Sequence, residues 1–244
     1  MNELRSPTFM AAIVIGVALV LASAIGGWAF VSARRGDQTI TVTGSAKRRI
    51  KSDMVVWKAA VSYQASALSD AYRSLSEAVP KVKAYLVSKG IPENEITISS
   101  ISSQTLHGRT SDGAETSEIT GYSLRQELEV RSKDVEKIGK IAREATELIN
   151  QGILLESMAP EYYYTALGNL KIEMMSEAAK DAKLRAEKIA ESTGSSIGSV
   201  RTARMGVLQI TPADSNEVSD SGMNDTSSLD KDITAVVSIG FAVD

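Results

Sequence analysis

The sequence contains no cysteine and only one histidine, His107, among its 244 residues. Without cysteine, the chain forms no disulfide, has no thiol nucleophile and offers no thiolate to a metal ion. Aromatic residues make up only 5% of the chain, and the formal net charge is −3. A mildly acidic chain lacks the clustered lysine and arginine with which proteins contact phosphate backbones. We therefore expect no nucleic-acid partner.

Charge is also absent from one long stretch near the N-terminus. No residue from Ser6 to Ala33 is charged, and Phe9–Val31 is almost entirely apolar. An apolar run of about 20 residues is what an α-helix needs to cross the hydrocarbon core of a bilayer. The sequence therefore predicts an N-terminal membrane anchor, residues 1–35, whose transmembrane helix contacts the lipid bilayer through Phe9 to Val31. A cleaved secretory signal is the alternative, because Ala22-Ser23-Ala24 and, less well, Val31-Ser32-Ala33 have the small-x-small form of a cleavage site.

The charges that flank this segment bear on its orientation. Only Arg5 precedes the helix as a basic residue, whereas Arg34, Arg35 and the cluster Lys47-Arg48-Arg49-Ile50-Lys51 follow it. Positive charge is retained on the cytoplasmic side of most membrane proteins. Taken alone, the charge count favours a cytoplasmic domain.

Residues 36–244 predict an α+β domain. Alternating apolar and polar residues indicate seven strands, and apolar residues at helical spacing indicate three helices. The predicted strands are 39–46, 54–64, 96–106, 119–131, 153–166, 200–210 and 234–243, and the predicted helices are 66–89, 133–151 and 170–192. The order β-β-α-β-β-α-β-α-β-β predicts a mixed sheet with helices packed on it. Segment 211–229, rich in Ser, Asp, Asn and Gly, is predicted to be a mobile loop.

Two of the predicted helices carry informative side-chain patterns. The first has one apolar stripe, which we expect to be buried: Leu68, Tyr72, Leu75, Val79, Val82 and Leu86. Ser66 is predicted to cap its start, and Pro80 to kink it. The third has alanine at every fourth position, at 178, 182, 186 and 190. Such small side chains let a helix approach a sheet or another helix closely.

The search for catalytic groups finds none. His107 falls in a predicted polar hairpin loop, 107–117, without a nucleophile or carboxylate fixed beside it. The segment Gly194–Gly198 has the form G-x-S-x-G, but a nucleophile elbow requires a strand before the serine and a helix after it, and here the order is reversed. The carboxylates near the C-terminus match no calcium-loop spacing; they are Asp214, Glu217, Asp220, Asp225, Asp230 and Asp232. We therefore predict no catalytic, cofactor-binding or metal site, and no enzyme.

Tyr162-Tyr163-Tyr164 is the densest aromatic cluster of the chain. On a strand, Tyr162 and Tyr164 point to one face and Tyr163 to the other. The pattern favours core packing or a subunit contact over a ligand-binding platform.

Five segments together resemble the SIMPL domain family of bacterial envelope proteins. They lie in the same order from Thr39 to Val243. The segments are ITVTGSA at 40–46; Leu86-x-x-x-Gly90-Ile91 leading to Glu95-Ile96-x-Ile98; Gly121-Tyr122 leading to Glu127-Leu128-Glu129-Val130; the helix 177–190 followed by Gly194 and Ile197-Gly198-Ser199-Val200; and the terminal ITAVVSIGFAV. The proline at 80 and the long acidic loop depart from the family pattern.

This resemblance implies a periplasmic or membrane-associated protein with no transferable catalytic residues. Some members of the family form ring-like or barrel-like homo-oligomers, and the family has been associated with oxidative stress and immunogenicity. The resemblance therefore implies an extracytoplasmic domain, against the local charge count. It also favours a structural role in which the chain's partner is itself, in a homo-oligomeric ring or cage. The alternative is an envelope binding module that captures a peptide, protein or small ligand in a groove beside the sheet.

Overall fold

The structure, a computed structural model, describes residues 7–35 and 38–243. Four α-helices and eleven strands form in this part of the chain. The helices are α1 (Pro7–Arg35), α2 (Leu68–Ser88), α3 (Val135–Glu144) and α4 (Leu167–Ser192). The strands are β1 (Thr39–Lys51), β2 (Met54–Ala65), β3 (Ile96–Ile98), β4 (Ser102–Arg109), β5 (Glu115–Ser132), β6 (Leu155–Ser157), β7 (Glu161–Tyr163), β8 (Ile197–Met205), β9 (Gln209–Pro212), β10 (Met223–Asn224) and β11 (Asp230–Val243). The predicted α+β class is confirmed, with two sheets in place of one.

The N-terminal apolar segment is helical, as α1. Within residues 7–35 and 38–243, however, no helix meets the combined length and hydropathy required to cross a membrane. The predicted transmembrane helix is therefore not confirmed.

The chain divides into two compact units. The first comprises Met1–Ala46, Glu173–Gly206 and Ala235–Asp244, and the second comprises Lys47–Ile172 and Val207–Thr234. Each unit is thus assembled from segments that are distant in sequence.

The second unit is built on a six-stranded sheet around the long strand β5. β5 pairs antiparallel with β2, β3 and β4, and β2 also pairs with β6 and β7. Helices α2 and α3 pack on this sheet. The predicted alternation of β5 is confirmed, because Leu124, Leu128 and Val130 are buried whereas the residues between them are partly exposed. Apolar side chains of β2 complete the same core, and they include the buried Trp57.

The buried indole N–H of Trp57 has a hydrogen-bond acceptor. Its Nε1–H donates to Ser157 Oγ at 3.1 Å, and the Ser157 hydroxyl donates to the carbonyl of Ala142 at 2.8 Å. These two consecutive hydrogen bonds connect β2, β6 and α3. A buried donor without such a partner would lose its interaction with water and gain nothing in return.

Several predicted strand boundaries are wrong. The basic residues 47–51, which lie between two predicted strands, belong to β1, and Ser52 and Asp53 connect β1 to β2. The single strand predicted over 153–166 is two short strands that flank Pro160, which cannot donate a ladder hydrogen bond. Similarly, 200–210 is split at Gly206, which donates its N–H to the carbonyl of Val236.

The predicted helices differ mainly at their ends. Helix α2 begins at Leu68 without a side-chain cap, so the predicted capping role of Ser66 is wrong. The helix continues through Pro80, and the kink there stays a prediction. The helix predicted over 133–151 is α3 followed by a 3-10 segment, Ala145–Gln151, and Gly152 ends it with a φ of 79°. Asp134 caps α3 by accepting the backbone N–H of Lys137.

In the first unit, helix α4 lies close against strand β1. The alanines at 178, 182, 186 and 190 are all fully buried, which confirms the expected close approach. Gly44 of β1 lies against the backbone of α4 at Ala178 and Ala182, where no side chain fits. The neighbouring Ser45 N–H donates to Asp181 Oδ2 at 2.8 Å, and this bond lowers the pKa of Asp181.

Candidate functional site

The single histidine does not lie in a loop. His107 is part of β4 and is paired with Ile119 of β5, because the hairpin turn occupies only residues 110–114. The predicted loop placement is therefore wrong. Among the described residues, no group of three or more His, Asp or Glu side chains could hold a metal ion.

The G-x-S-x-G-like segment is a helix end, as its sequence indicates. Helix α4 ends at Ser192 and β8 begins at Ile197, so the helix precedes the serines and the strand follows them. Gly194 has a φ of 73°, and the N–H of Ser195 donates to the carbonyl of Ala190. This is the geometry of a helix C-cap.

Two of the six C-terminal carboxylates are buried and paired with cations. Asp225 binds Lys231, whose side chain is only 2% exposed, at 2.9 Å. The Lys231 ammonium also donates to the backbone carbonyl of Asp225 at 2.7 Å. Burial alone would raise the pKa of Asp225, but hydrogen bonds from Ser227, Lys231 and Ser228 lower it well below its usual value. The pair is thus a buried ionic contact inside the second unit.

Asp232 forms the second buried carboxylate site. Arg49 donates to it through Nε at 3.0 Å and Nη2 at 3.2 Å, and Lys47 approaches it at 3.0 Å. The backbone N–H of Asp214 completes the set at 2.9 Å, and the Asp214 side chain also accepts from Arg49. The hydrogen bonds from Arg49 are the main cause of a strongly lowered pKa at Asp232.

These two sites account for the hydrogen-bond partners of several carboxylates in the acidic segment. Their hydrogen bonds hold residues 214 and 225 in place, and strand β10 lies between these residues in sequence. The mobility predicted for 211–229 stays a prediction. The structure adds that its two ends carry fixed contacts.

The tyrosine cluster is partly built into the core. Tyr162 packs against the main apolar core, with its hydroxyl close to Gly139 of α3. The Tyr163 hydroxyl donates to Glu161 at 2.6 Å, and this bond raises the pKa of Tyr163. With Lys231 and Asp225, the three tyrosines line a small cavity of about 60 Å³. This volume is well below the roughly 300–1,000 Å³ that is typical of ligand pockets.

A larger apolar groove opens beside the start of helix α2. It has a volume of about 620 Å³ and is lined by Leu68, Ser69, Tyr72, Ile101, Ser103 and Leu124. Leu68 is 45% exposed and Tyr72 is 54% exposed, so the first two positions of the α2 stripe are not buried as predicted. The remaining stripe residues lie over the sheet and are buried. The groove forms because the apolar face of α2 extends beyond its covered part.

Strand β8 is a second exposed feature, in the first unit. It pairs with β11, and no strand of the described chain covers its other side. Seven of its nine residues are exposed, with side chains on both faces. Val200 is 56% exposed and Met205 is 62% exposed. Open edges of this kind are sites at which another strand adds to a sheet.

Sequence reasoning did not find these features, for different reasons. Leu68 and Tyr72 were recognisable as apolar stripe residues, but their exposure depends on where the sheet ends. The ion pairs join residues up to 185 positions apart, as for Lys47 and Asp232, and no local pattern signals them. A lysine between two aspartates, as at Lys231, is the one sequence signal that could have indicated a paired charge.

Comparison with known proteins identifies relatives of this chain. The chain is 31% identical over 116 residues to the 26 kDa periplasmic immunogenic protein of Brucella melitensis biotype 1, and equally similar to that of Brucella abortus strain S19. Each alignment covers 46% of this chain and 46% of the relative, so the chain spans about half the length of the curated relatives it matches. The sequence profile of SIMPL, described as a protein of unknown function (DUF541), matches residues 40–241. The chain therefore belongs to the SIMPL family.

Proposed function

We propose that the chain is a membrane-tethered, extracytoplasmic domain that assembles with copies of itself into a ring or cage with a scaffolding role in the cell envelope. The observation that carries this proposal is the open edge of β8, which leaves a long strand exposed on both faces. The periplasmic relatives support the location. Under this proposal the role is structural rather than enzymatic, and a link to envelope or oxidative stress would be indirect.

The tether would be the N-terminal segment. Helix α1 spans Pro7–Arg35, and no residue from Pro7 to Ala33 is charged. Large apolar side chains along it are more than half exposed, including Val14, Leu19 and Trp28. Exposed apolar area of this extent favours transfer into a non-aqueous environment. Tethering would also raise the local concentration of the domain, so that weak contacts between copies suffice for assembly.

If the N-terminal segment is a tether, the chain remains uncleaved and fractionates with the membrane. We expect intact-mass analysis of the protein purified from membranes to give about the full 26.0 kDa, and we expect the chain to resist extraction by alkaline carbonate. Leu19→Arg places a charge in the apolar segment at a cost of about 2.5–3.5 kcal/mol and should increase the extracted fraction. A mass that corresponds to cleavage after Ala24 or after Ala33 would contradict the tether, with or without assembly of the domain.

The contact between copies would use the β8 edge. A strand exposes alternate N–H and C=O groups along an unpaired edge, and natural monomers commonly protect such edges with charge, proline or a covering segment. Strand β8 includes Arg201 and Arg204, but Val200 and Met205 are apolar and open to solvent. Burial of these two side chains against a neighbouring copy would remove apolar area from water.

Self-association predicts a particle several times heavier than one chain. We expect light scattering of the full chain in mild detergent at micromolar concentration to give a multiple of 26.0 kDa. The double variant Val200→Lys/Met205→Lys should shift the distribution toward smaller species, because two unpaired charges would enter the contact. Val218→Lys is the matched control, since Val218 is 82% exposed in a loop of the second unit. A monomeric native protein, or equal mass for both variants, would exclude this contact.

A second candidate function is a binding module, and the apolar groove at α2 favours it specifically. Ligand sites are commonly concave, mainly apolar and about 300–1,000 Å³ in volume, with a few polar groups that orient the ligand. The groove has these properties, with Ser69 and Ser103 as its polar groups. This function is compatible with assembly through β8, because the two features lie on different strands.

A further inference from the structure

The apolar groove of the second unit is bordered by an open strand edge. One wall is the start of α2, with Leu68 and Tyr72, and the other wall is Ile101 and Ser103 at the start of β4. The floor is Leu124 of β5, which is buried and is paired directly with Ser103. The groove thus runs between a helix and the outermost strand of a sheet.

The outer side of β4 has no partner strand in the part of the chain that the structure describes. β4 pairs with β5 from Ser102 to Arg109. In an antiparallel pair, alternate residues direct their N–H and C=O groups toward the partner, and those of the other residues point away from it. The residues 102–105 are also exposed. Beside the groove, β4 therefore offers a row of backbone donors and acceptors to an incoming strand.

The absence of charged residues along this edge and in the groove limits which ligands could bind there. No residue from Ser99 to Leu106 is charged, and none of the six groove residues is charged. Residues 99–106 include no lysine or proline, which commonly block strand addition. The register shifts of the β4–β5 pair lie beyond Leu106, away from the groove. An occupant that matches it has no charged side chain in the groove and supplies its own backbone hydrogen bonds. A small apolar molecule would fill the groove and leave the strand edge unpaired.

We propose that this groove binds an extended, uncharged polypeptide segment, which adds to the outer edge of β4 and inserts alternate apolar side chains between α2 and Leu124. The inference rests on the second candidate function, the binding module, and names its ligand. Strand addition of this type combines main-chain hydrogen bonds, which provide affinity, with side-chain pockets, which provide specificity. Because successive side chains of a strand point to opposite faces, only every second residue of the ligand would enter the groove.

The test uses a labelled peptide with alternating Thr and Leu residues and the full chain in mild detergent. We expect saturable binding in fluorescence anisotropy, and slower hydrogen exchange of the β4 amides at 102–105 when the peptide is present. Tyr72→Glu should weaken binding at least tenfold, because it places a charge in the apolar wall. Val87→Glu is the matched control on the same helix, since Val87 is exposed outside the groove, and it should change binding less than twofold. The same peptide with proline at its centre should not bind, because it cannot complete the strand ladder.

Other outcomes separate the inference from the function on which it rests. If an apolar dye binds in a Tyr72-dependent manner but the peptide does not, the groove is a ligand site and the strand proposal is wrong. If neither binds, the binding-module function fails as well. If the β4 amides are protected without peptide at high protein concentration, and Tyr72→Glu lowers the particle mass, the groove is a contact between copies and the peptide proposal is overturned.

Discussion

Asp225→Ala is expected to lower the free energy of unfolding of the second unit by about 3–5 kcal/mol, the usual cost of breaking a buried ion pair from one side. The variant leaves the ammonium of Lys231, which is 2% exposed, without its carboxylate. A buried cation without a counter-charge loses its hydration without compensation. The backbone carbonyl of Asp225 would remain as an acceptor, but it carries no net charge. Denaturant unfolding, followed by the fluorescence of the buried Trp57 in a Trp28→Phe background, measures the change.

Two controls test whether the unpaired charge is the cause. Asp220→Ala removes an exposed carboxylate of the same segment and should change stability by less than about 0.5 kcal/mol. The double variant Asp225→Ala/Lys231→Met removes both charges and should recover much of the loss, as apolar replacements of buried ion pairs often do. A single variant as stable as the native protein, or a double variant no better than the single one, would contradict this explanation.

The same pair has a defined pH dependence. The pKa of Asp225 is lower in the folded chain than in the unfolded chain. Its contribution to stability is therefore fully present above the unfolded pKa of about 3.9 and is lost as the pH falls toward the folded pKa. The stability difference between native protein and Asp225→Ala should accordingly be constant near neutral pH and narrow below about pH 4.

Gly44→Val is expected to lower the free energy of unfolding of the first unit by about 3 kcal/mol or more. This cost is at or above the upper end of the range of about 1–3 kcal/mol that overpacked cores usually show. A Cβ at position 44 would overlap the carbonyl oxygen of Ala178 and the backbone nitrogen of Ala182, and would lie 2.7 Å from the Ala182 Cα. All three are backbone atoms of α4, so no side-chain rotation relieves the clash. The helix must move away from β1, which would also break the hydrogen bond from Ser45 to Asp181.

Hydrogen exchange measures this effect locally. We expect faster exchange of the α4 amides and of Ser45 in Gly44→Val, together with a lower unfolding midpoint in circular dichroism. Gly168→Ala is the control, because Gly168 lies in the same helix with no atom within 4 Å of a new Cβ. Replacing a helical glycine by alanine stabilises by about 0.5–1 kcal/mol where space allows. Unchanged exchange in Gly44→Val would mean that the helix is not held at this distance.

The parts of the fold that follow from local periodicity could be predicted from the sequence. The inward face of β5 and the alanine face of α4 were both evident from spacing alone. The basic run 47–51 was left outside the predicted strands 39–46 and 54–64 but belongs to β1. Lys47 and Arg49 in this run pair with Asp232, which is distant in sequence. Pro160 lies in the break between β6 and β7, which spans residues 158–160.

Only one wall of the candidate groove could be predicted from the sequence. Its helix wall, Leu68 and Tyr72, belongs to the predicted apolar stripe, but a stripe shows only which side of a helix is apolar. Whether a neighbouring strand covers each turn of that side is decided by the pairing of β4 with β5. The opposite wall, Ile101 and Ser103, was part of one predicted long strand. Its division at residues 99–101 arises because Ser99 pairs with the backbone and side chains of β5.

The first unit is assembled from segments that are far apart in sequence, and this arrangement affects the order of folding. Its strands come from residues 39–46, 197–205 and 235–243, and β8 has its ladder only with β11. During synthesis, β1 and α4 therefore emerge well before the strand that both β1 and β8 require. The unit cannot close until residues 235–243 are available, whereas the main sheet of the second unit is complete at Tyr163. A chain that is threaded through a membrane in an unfolded state would benefit from this delay, since one of its two units would stay incomplete until residues 235–243 had crossed.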